Sequence, residues 1–172
     1  MKMDNPMREI RIEKVVVNIG CGEAGEKLDK AKKVLESLIT GHTIVTTHTH
    51  GRTTFGMAKG RPIGMKVTLR GKDAADFLKR ALESVDGKVA ETNFDKQGNV
   101  SFGVKEHISM PGVRYDPEIG VWGMDVCIRL ERRGYRVMKK RNASSVSKSH
   151  RITPEEAKDF MVKNFGIIFG EE

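Results

Sequence analysis

Three stretches of this chain alternate between apolar and polar residues, and that alternation constrains the fold more than any other feature. In Arg11–Ile19, Val15, Val17 and Ile19 share one face of an extended chain, and Lys14, Val16 and Asn18 share the other. In Met65–Arg70, Val67 and Leu69 oppose Lys66, Thr68 and Arg70. In Gly123–Leu130, Val126, Ile128 and Leu130 oppose Asp125, Cys127 and Arg129. A period of two with one apolar face describes strands of a sheet that packs helices on one side and leaves the other side free.

The helices to cover that sheet are present. Glu26–Thr40 places Leu28, Ala31, Leu35 and Leu38 on one stripe, with Gly41 as its stop. A second helix is predicted from Asp73 as cap, with Ala74, Phe77, Leu78, Ala81, Leu82 and Val85 at helical spacing. The third has the strongest start signal: Thr153 as N-cap, Pro154 at the first helical position and Glu156 completing T-x-x-E. Its expected buried stripe is Ala157, Phe160, Met161 and Phe165, and Gly166 ends it. Ile44–Thr47 and Val100–Val104 read as further strands, the latter after the turn Asp95–Asn99 (DKQGN). Residues 1–9 read as a polar arm, Ser109–Gly120 as an irregular connection and Ile167–Phe169 as a short apolar edge. The expected fold is α+β: one domain over 1–172, an antiparallel or mixed sheet with helices packed on one face and the other face free.

Charge clustering then narrows the function. His48–Lys72 holds six Lys or Arg, five Gly and no Asp or Glu. Arg129–Arg151 holds nine Lys or Arg against Glu131 alone. The two segments together carry a net +14, and the rest of the chain carries −6 within a total of +8. A mildly acidic body with two cationic segments is built to dock on a polyanion. The predicted architecture therefore includes a protruding basic loop, 48–64, and a basic C-terminal segment, 131–151. Lys14, Lys66, Arg70, Arg129, Arg132, Arg133, Lys139, Lys140 and Arg141 are expected to take phosphates, while Asn18 and Thr68 read sugar and base edges. Few aromatics, 6 % of residues, argue against a stacking platform for single strands and for folded RNA. The basic segment has almost no acidic partners and is expected to order on nucleic acid.

Other chemistries fit less well. Gly20–Gly25 (GCGEAG) is a literal G-x-G-x-x-G between a strand and a helix, the context of a dinucleotide site. Thr46, Thr47 and His48 stand where an acidic ribose ligand belongs, and Glu23 and Glu26 crowd the place of the pyrophosphate. A nucleotide-dependent oxidoreductase using this turn is the enzymatic alternative, and a general RNA chaperone the non-enzymatic one. His42, His48 and His50 lack carboxylate or Cys partners, so no metal is expected. No G-x-S-x-G elbow is present. Cys21 and Cys127 match no paired-ligand pattern and point to a reducing compartment. No apolar run approaches the roughly 18 residues of a membrane span. The expectation is a cytoplasmic protein with no cofactor, no small-molecule substrate and no membrane partner.

Four blocks carry a family resemblance: Lys14–Gly25 (KVVVNIGCGEAG), Pro62–Gly71 (PIGMKVTLRG), Phe94–Val104 (FDKQGNVSFGV) and Gly123–Val126 (GMDV). In this order and spacing the chain, from about Met7 to Phe169, resembles the universal large-subunit ribosomal protein L-five family, called L-eleven in eukaryotes. The block His150–Ala157 (HRITPEEA) and the short N-terminus are similar to archaeal members. The resemblance implies a ribosome-bound protein that holds 5S rRNA against the large-subunit rRNA in the central protuberance. Asn18, Lys66, Thr68 and Arg70 are then the best candidates for the 5S contact. The resemblance also implies that Thr54–Gly64 reaches the peptidyl-site tRNA, with Phe55, Lys59, Arg61 and Pro62 as contacts. Neighbouring proteins of the central protuberance and of the small-subunit head complete the implied partners. His48 and His50 stand where Lys or Arg is commoner in the family.

Overall fold

The computed structural model describes residues 5–51 and 58–170. The alternating stretches form β1 (Ile10–Gly20), β3 (Pro62–Leu69) and β6 (Met124–Arg132), flanked by β2 (Ile44–His48) and β5 (Val100–Val104). They make one sheet in the order β2-β3-β1-β6-β5, antiparallel at every pairing. Among the described residues a parallel pair occurs only in a second, two-stranded sheet of β4 (Lys88–Val89) and β7 (Ile168–Phe169). The second sheet draws the apolar edge expected at Ile167–Phe169 onto the end of the second helix.

The apolar face is the core. Val15, Val17, Ile19, Val67, Leu69, Val126, Ile128 and Leu130 are at most 2 % exposed, and each such side chain stabilises the fold by roughly 2 kcal/mol. Helices α1 (Glu26–Leu38) and α2 (Gly71–Glu83) cover it with Ala31, Val34, Leu35 and Leu38 and with Ala74, Phe77, Leu78, Ala81 and Leu82. Helix α3 (Pro154–Phe165) adds Ala157 and Met161, whereas Phe160 and Phe165 are only half-buried.

Three local expectations change. Helix α1 ends at Leu38, and Gly41 (φ +83) serves the turn beyond it. Helix α2 begins at Gly71, whose φ of +64 lets the chain leave β3 and enter the helix without a spacer. Asp73 therefore lies inside the first turn instead of capping it, and its carboxylate meets His42 Nε2 at 3.1 Å. Pro62–Gly64 belong to β3, so the basic loop runs from Thr49 to Arg61. The capping box of α3 forms as predicted: Thr153 Oγ1 accepts from the Glu156 amide, and Glu156 Oε2 accepts from the Thr153 amide.

Candidate nucleic-acid interface

The face of the sheet away from the helices is open. Register sets its side chains in rows: Lys66 beside Asn18 beside Asp125 beside Gly103, then Thr68 beside Val16 beside Cys127 beside Ser101, then Lys14 beside Arg129. Lys66, Thr68, Asp125, Cys127, Ser101 and Gly103 are exposed, and Lys14, Asn18 and Arg129 partly so. The middle row is short and neutral, which lets a large partner lie close to the backbone. Although Cys127 is exposed, partial desolvation by its neighbours on the sheet and the nearby Asp125 carboxylate push its thiol up, which keeps it neutral. Gly64 keeps the face flat at the other end. A Cβ there would stand 2.7 Å from the Ile19 carbonyl oxygen and 2.9 Å from Thr47 Oγ1.

The cationic end of this face is organised by Glu13, a residue that charge counting passes over. A register shift between Ile12 and Lys14 makes a β-bulge at Glu13, and its carboxylate, 4 % exposed, lies among cations from three elements. Arg129 Nε stands 2.9 Å from one oxygen, Arg70 3.8 Å from the other, and Lys139 hydrogen-bonds that same oxygen. Burial pushes the Glu13 pKa up, but the Lys139 hydrogen bond and the charges of Arg129, Lys139 and Lys14 outweigh it, and the net shift is downward. Arg11 Nε and Nη2 both donate to Glu131 Oε1, at 2.9 and 2.5 Å.

Residues of the basic C-terminal segment bond to the body of the protein. Arg132 is buried, with Nη2 donating to Glu156 Oε1 at 2.7 Å and Nη1 to the carbonyls of His150 and Arg151 at 3.3 Å. Tyr135, also buried, donates its hydroxyl to the His150 carbonyl and accepts from the Ile152 amide. His150 bonds the Arg133 carbonyl at 2.9 Å. Arg132, expected at the interface, is thus turned inward and bonded within the protein. Arg133, Lys139, Lys140 and Arg141 remain exposed.

The loop between β2 and β3 is pinned at its base by Thr49, which sequence reasoning missed. Its hydroxyl donates to the Ala58 carbonyl at 2.7 Å and accepts from the Arg61 amide at 3.0 Å. Lys59 and Arg61 are exposed and Pro62 starts β3, while Phe55 lies outside the described residues. No short run of Thr and His marks such a clamp in advance, because only the closed hairpin brings residues 49 and 61 together.

The glycine-rich turn does not make a dinucleotide site. β1 is antiparallel to both neighbours, so no parallel strand–helix–strand unit exists around it. The amides of Cys21 and Gly22 both donate to the Ile63 carbonyl, and Lys27 pairs with Glu23 at 2.9 Å. The oxidoreductase alternative is overturned. No helix among the described residues is long and apolar enough to cross a membrane, and no group of three or more His, Cys, Asp or Glu among them is placed to hold a metal ion.

These elements define an α+β protein whose one-sided antiparallel sheet gathers cations over a buried carboxylate on its free face. Comparison with known proteins gives that class a family. Residues 5–52 match the family model for ribosomal protein L5, and residues 62–167 match the model for the C-terminus of the same ribosomal family. The large ribosomal subunit protein uL5 of Sulfurisphaera tokodaii is 48 % identical over 97 % of this chain and 96 % of its own. Those of Sulfolobus acidocaldarius and Pyrobaculum aerophilum are each 49 % identical, covering 96 % and 95 % of this chain and 94 % and 92 % of theirs. The chain belongs to the ribosomal protein L5 family, with archaeal relatives, and is a structural, non-enzymatic constituent of the large ribosomal subunit.

Proposed function

We propose that this protein holds 5S rRNA on the open sheet face and links it to the large-subunit rRNA, while the segment Thr54–Gly64 touches the peptidyl-site tRNA. The observation that carries the reading is the open face itself, where Lys14, Lys66, Arg70 and Arg129 surround a strip that includes Asn18 and Thr68. Cations grip phosphates without regard to sequence, and the short polar side chains meet sugar and base edges. The exposed Arg133, Lys140 and Arg141 extend the cationic rim for the large rRNA. Lys59 and Arg61 are exposed at the Thr49 clamp, where the loop leaves the sheet, which suits a separate contact.

Competition binding tests this division. 5S rRNA should displace bulk tRNA as competitor by a wide margin. Asn18→Ala and Thr68→Ala should each weaken 5S binding several-fold, the scale of one lost hydrogen bond of about 1 kcal/mol. Lys59→Ala with Arg61→Ala should leave 5S affinity near normal and impair tRNA positioning on the assembled subunit. Equal affinity for bulk tRNA would instead describe a chaperone without a fixed partner. Loss of 5S binding in the loop variants would contradict the division of labour.

A further inference from the structure

Glu13 has the wrong charge for a face that binds a polyanion, yet it is among the best-buried polar groups of the molecule. We propose that the hollow above it, about 460 Å³, is a preformed site for one backbone phosphate of the bound RNA, and that Glu13 is the positioning residue that builds it. The inference rests on the reading that the open face docks RNA, and it assigns a particular ligand group and a particular organiser.

The hollow is lined by Arg11, Arg70, Arg136, Lys139 and Lys140 around Glu13 and Glu131. Arg70 comes from the junction between β3 and α2, Arg129 from β6, and Lys139 from the 3-10 turn Tyr135–Lys139. Cations brought this close repel one another by about 1 kcal/mol or more per pair at 4 Å, even in water-like surroundings. A carboxylate fixed at a bulge beneath them reverses the balance and holds their heads in one place. The cations are not used up by this. The Arg70 side chain is 60 % and the Lys139 side chain 46 % exposed, so both keep outward-facing N–H groups. Arg129 Nε lies near Glu13 Oε2 but off the hydrogen-bond direction, and that buried oxygen accepts no aligned donor among the described residues. Among the described residues Arg136 and Lys140 have no carboxylate partner at all. Cations face the solvent from several sides over a fixed base, which is the arrangement a phosphate diester needs.

Charge and positioning predict opposite signs, and this makes Glu13→Gln decisive. The substitution raises net charge by one unit, so charge alone would tighten binding to every polyanion. Positioning predicts that affinity for 5S rRNA falls about tenfold, the scale of losing one well-placed charge-assisted contact, while affinity for unstructured poly(U) stays or rises. Arg136→Met, at an exposed residue without an internal carboxylate partner, should leave the fold intact and reduce the slope of log affinity against log salt by about one. It therefore tests the site even if Glu13→Gln folds poorly. The proposal is overturned if Glu13→Gln binds 5S rRNA and poly(U) with the same gain, or if Arg136→Met leaves the salt slope unchanged. Failure of the wild-type protein to prefer 5S rRNA over bulk tRNA would sink the functional reading first. A wild-type preference that Glu13→Gln fully retains would sink only this inference.

Discussion

Arg132 carries the same charge as Arg129, three residues earlier on the same strand, and does a different job. Arg129 lies on the open face, whereas Arg132 falls on the side of Val126, Ile128 and Leu130 and ties β6 to Glu156 at the start of α3. Arg132→Met should therefore lower stability to urea by about 2 kcal/mol, less than a fully buried pair because Glu156 stays partly exposed, and leave the 5S affinity of the folded protein unchanged. A variant that folds normally but loses RNA affinity would return Arg132 to the interface. That parity was legible in the sequence, since 126, 128, 130 and 132 share one face, but a count of positive charge hid it. Glu13 was legible in the same way. Apolar residues fall at 10 and 12 and then at 15, 17 and 19, a change of phase that one extra residue must absorb, and the bulge is there. What the pattern did not reveal is which cations converge on Glu13, since Lys139 arrives from 126 residues away. Glu13 and Glu156 also set the acid limit of the fold. For Glu156, burial raises the pKa, but bonds from Thr153 and Arg132 bring it below the ordinary 4.5. A depressed folded pKa gives stability that is full above 4.5 and is lost as pH falls through the folded value. Burial also pushes the pKa of His107 below the ordinary 6.5, so the urea midpoint should begin to fall as pH drops below about 6.5 and fall further below about 4.5, where Glu13 and Glu156 protonate first in the unfolded chain. A midpoint that rises on acidification would contradict both assignments.

At the scale of elements, glycines separate structure from lookalike motifs. Gly98 closes the DKQGN turn at φ +74, and a Cβ there would stand 2.7 Å from Ile152 Cγ2 and 3.3 Å from the Ala157 Cβ. The turn before β5 is thereby packed against the entry to α3. Gly20, the first glycine of GCGEAG, has no positive φ, and a Cβ added to it would meet no atom within 4 Å. Gly98→Ala should cost about 2 kcal/mol or more from strain and overpacking, whereas Gly20→Ala should stay within about 0.5 kcal/mol. Urea unfolding of the two variants checks both, and equal costs would contradict the packing described. Elements with a long period or a cap were readable: β5 and the Thr153 box of α3 fall where the residues predict. Elements without a period were not. β4 is two residues long and exists only because distant parts of the chain meet, its partner β7 lying within the apolar edge expected at Ile167–Phe169, and the Thr49 clamp exists only once β2 and β3 have paired.

At the scale of the molecule, the sheet works as a divider. Its helix side holds the apolar core, and its other side, with the folded-back basic segment, gathers cations over two carboxylates. The fold class was accessible from the sequence because one-sided strands and amphipathic helices specify each other. The interface was accessible only as a set of charges, because which of them reach solvent is decided by a bulge and by the path of residues 133–151. The central claim is that the open face, and not net charge, holds 5S rRNA. The most direct measurement is the salt dependence of 5S rRNA affinity for the wild-type protein, Lys66→Ala and Lys79→Ala, the last an exposed cation on α2 across the molecule. About 6 to 8 phosphate contacts should give the wild type a steep slope, and Lys66→Ala should reduce it by about one while Lys79→Ala leaves it unchanged. A shallow wild-type slope, or equal effects of the two substitutions, would contradict the account.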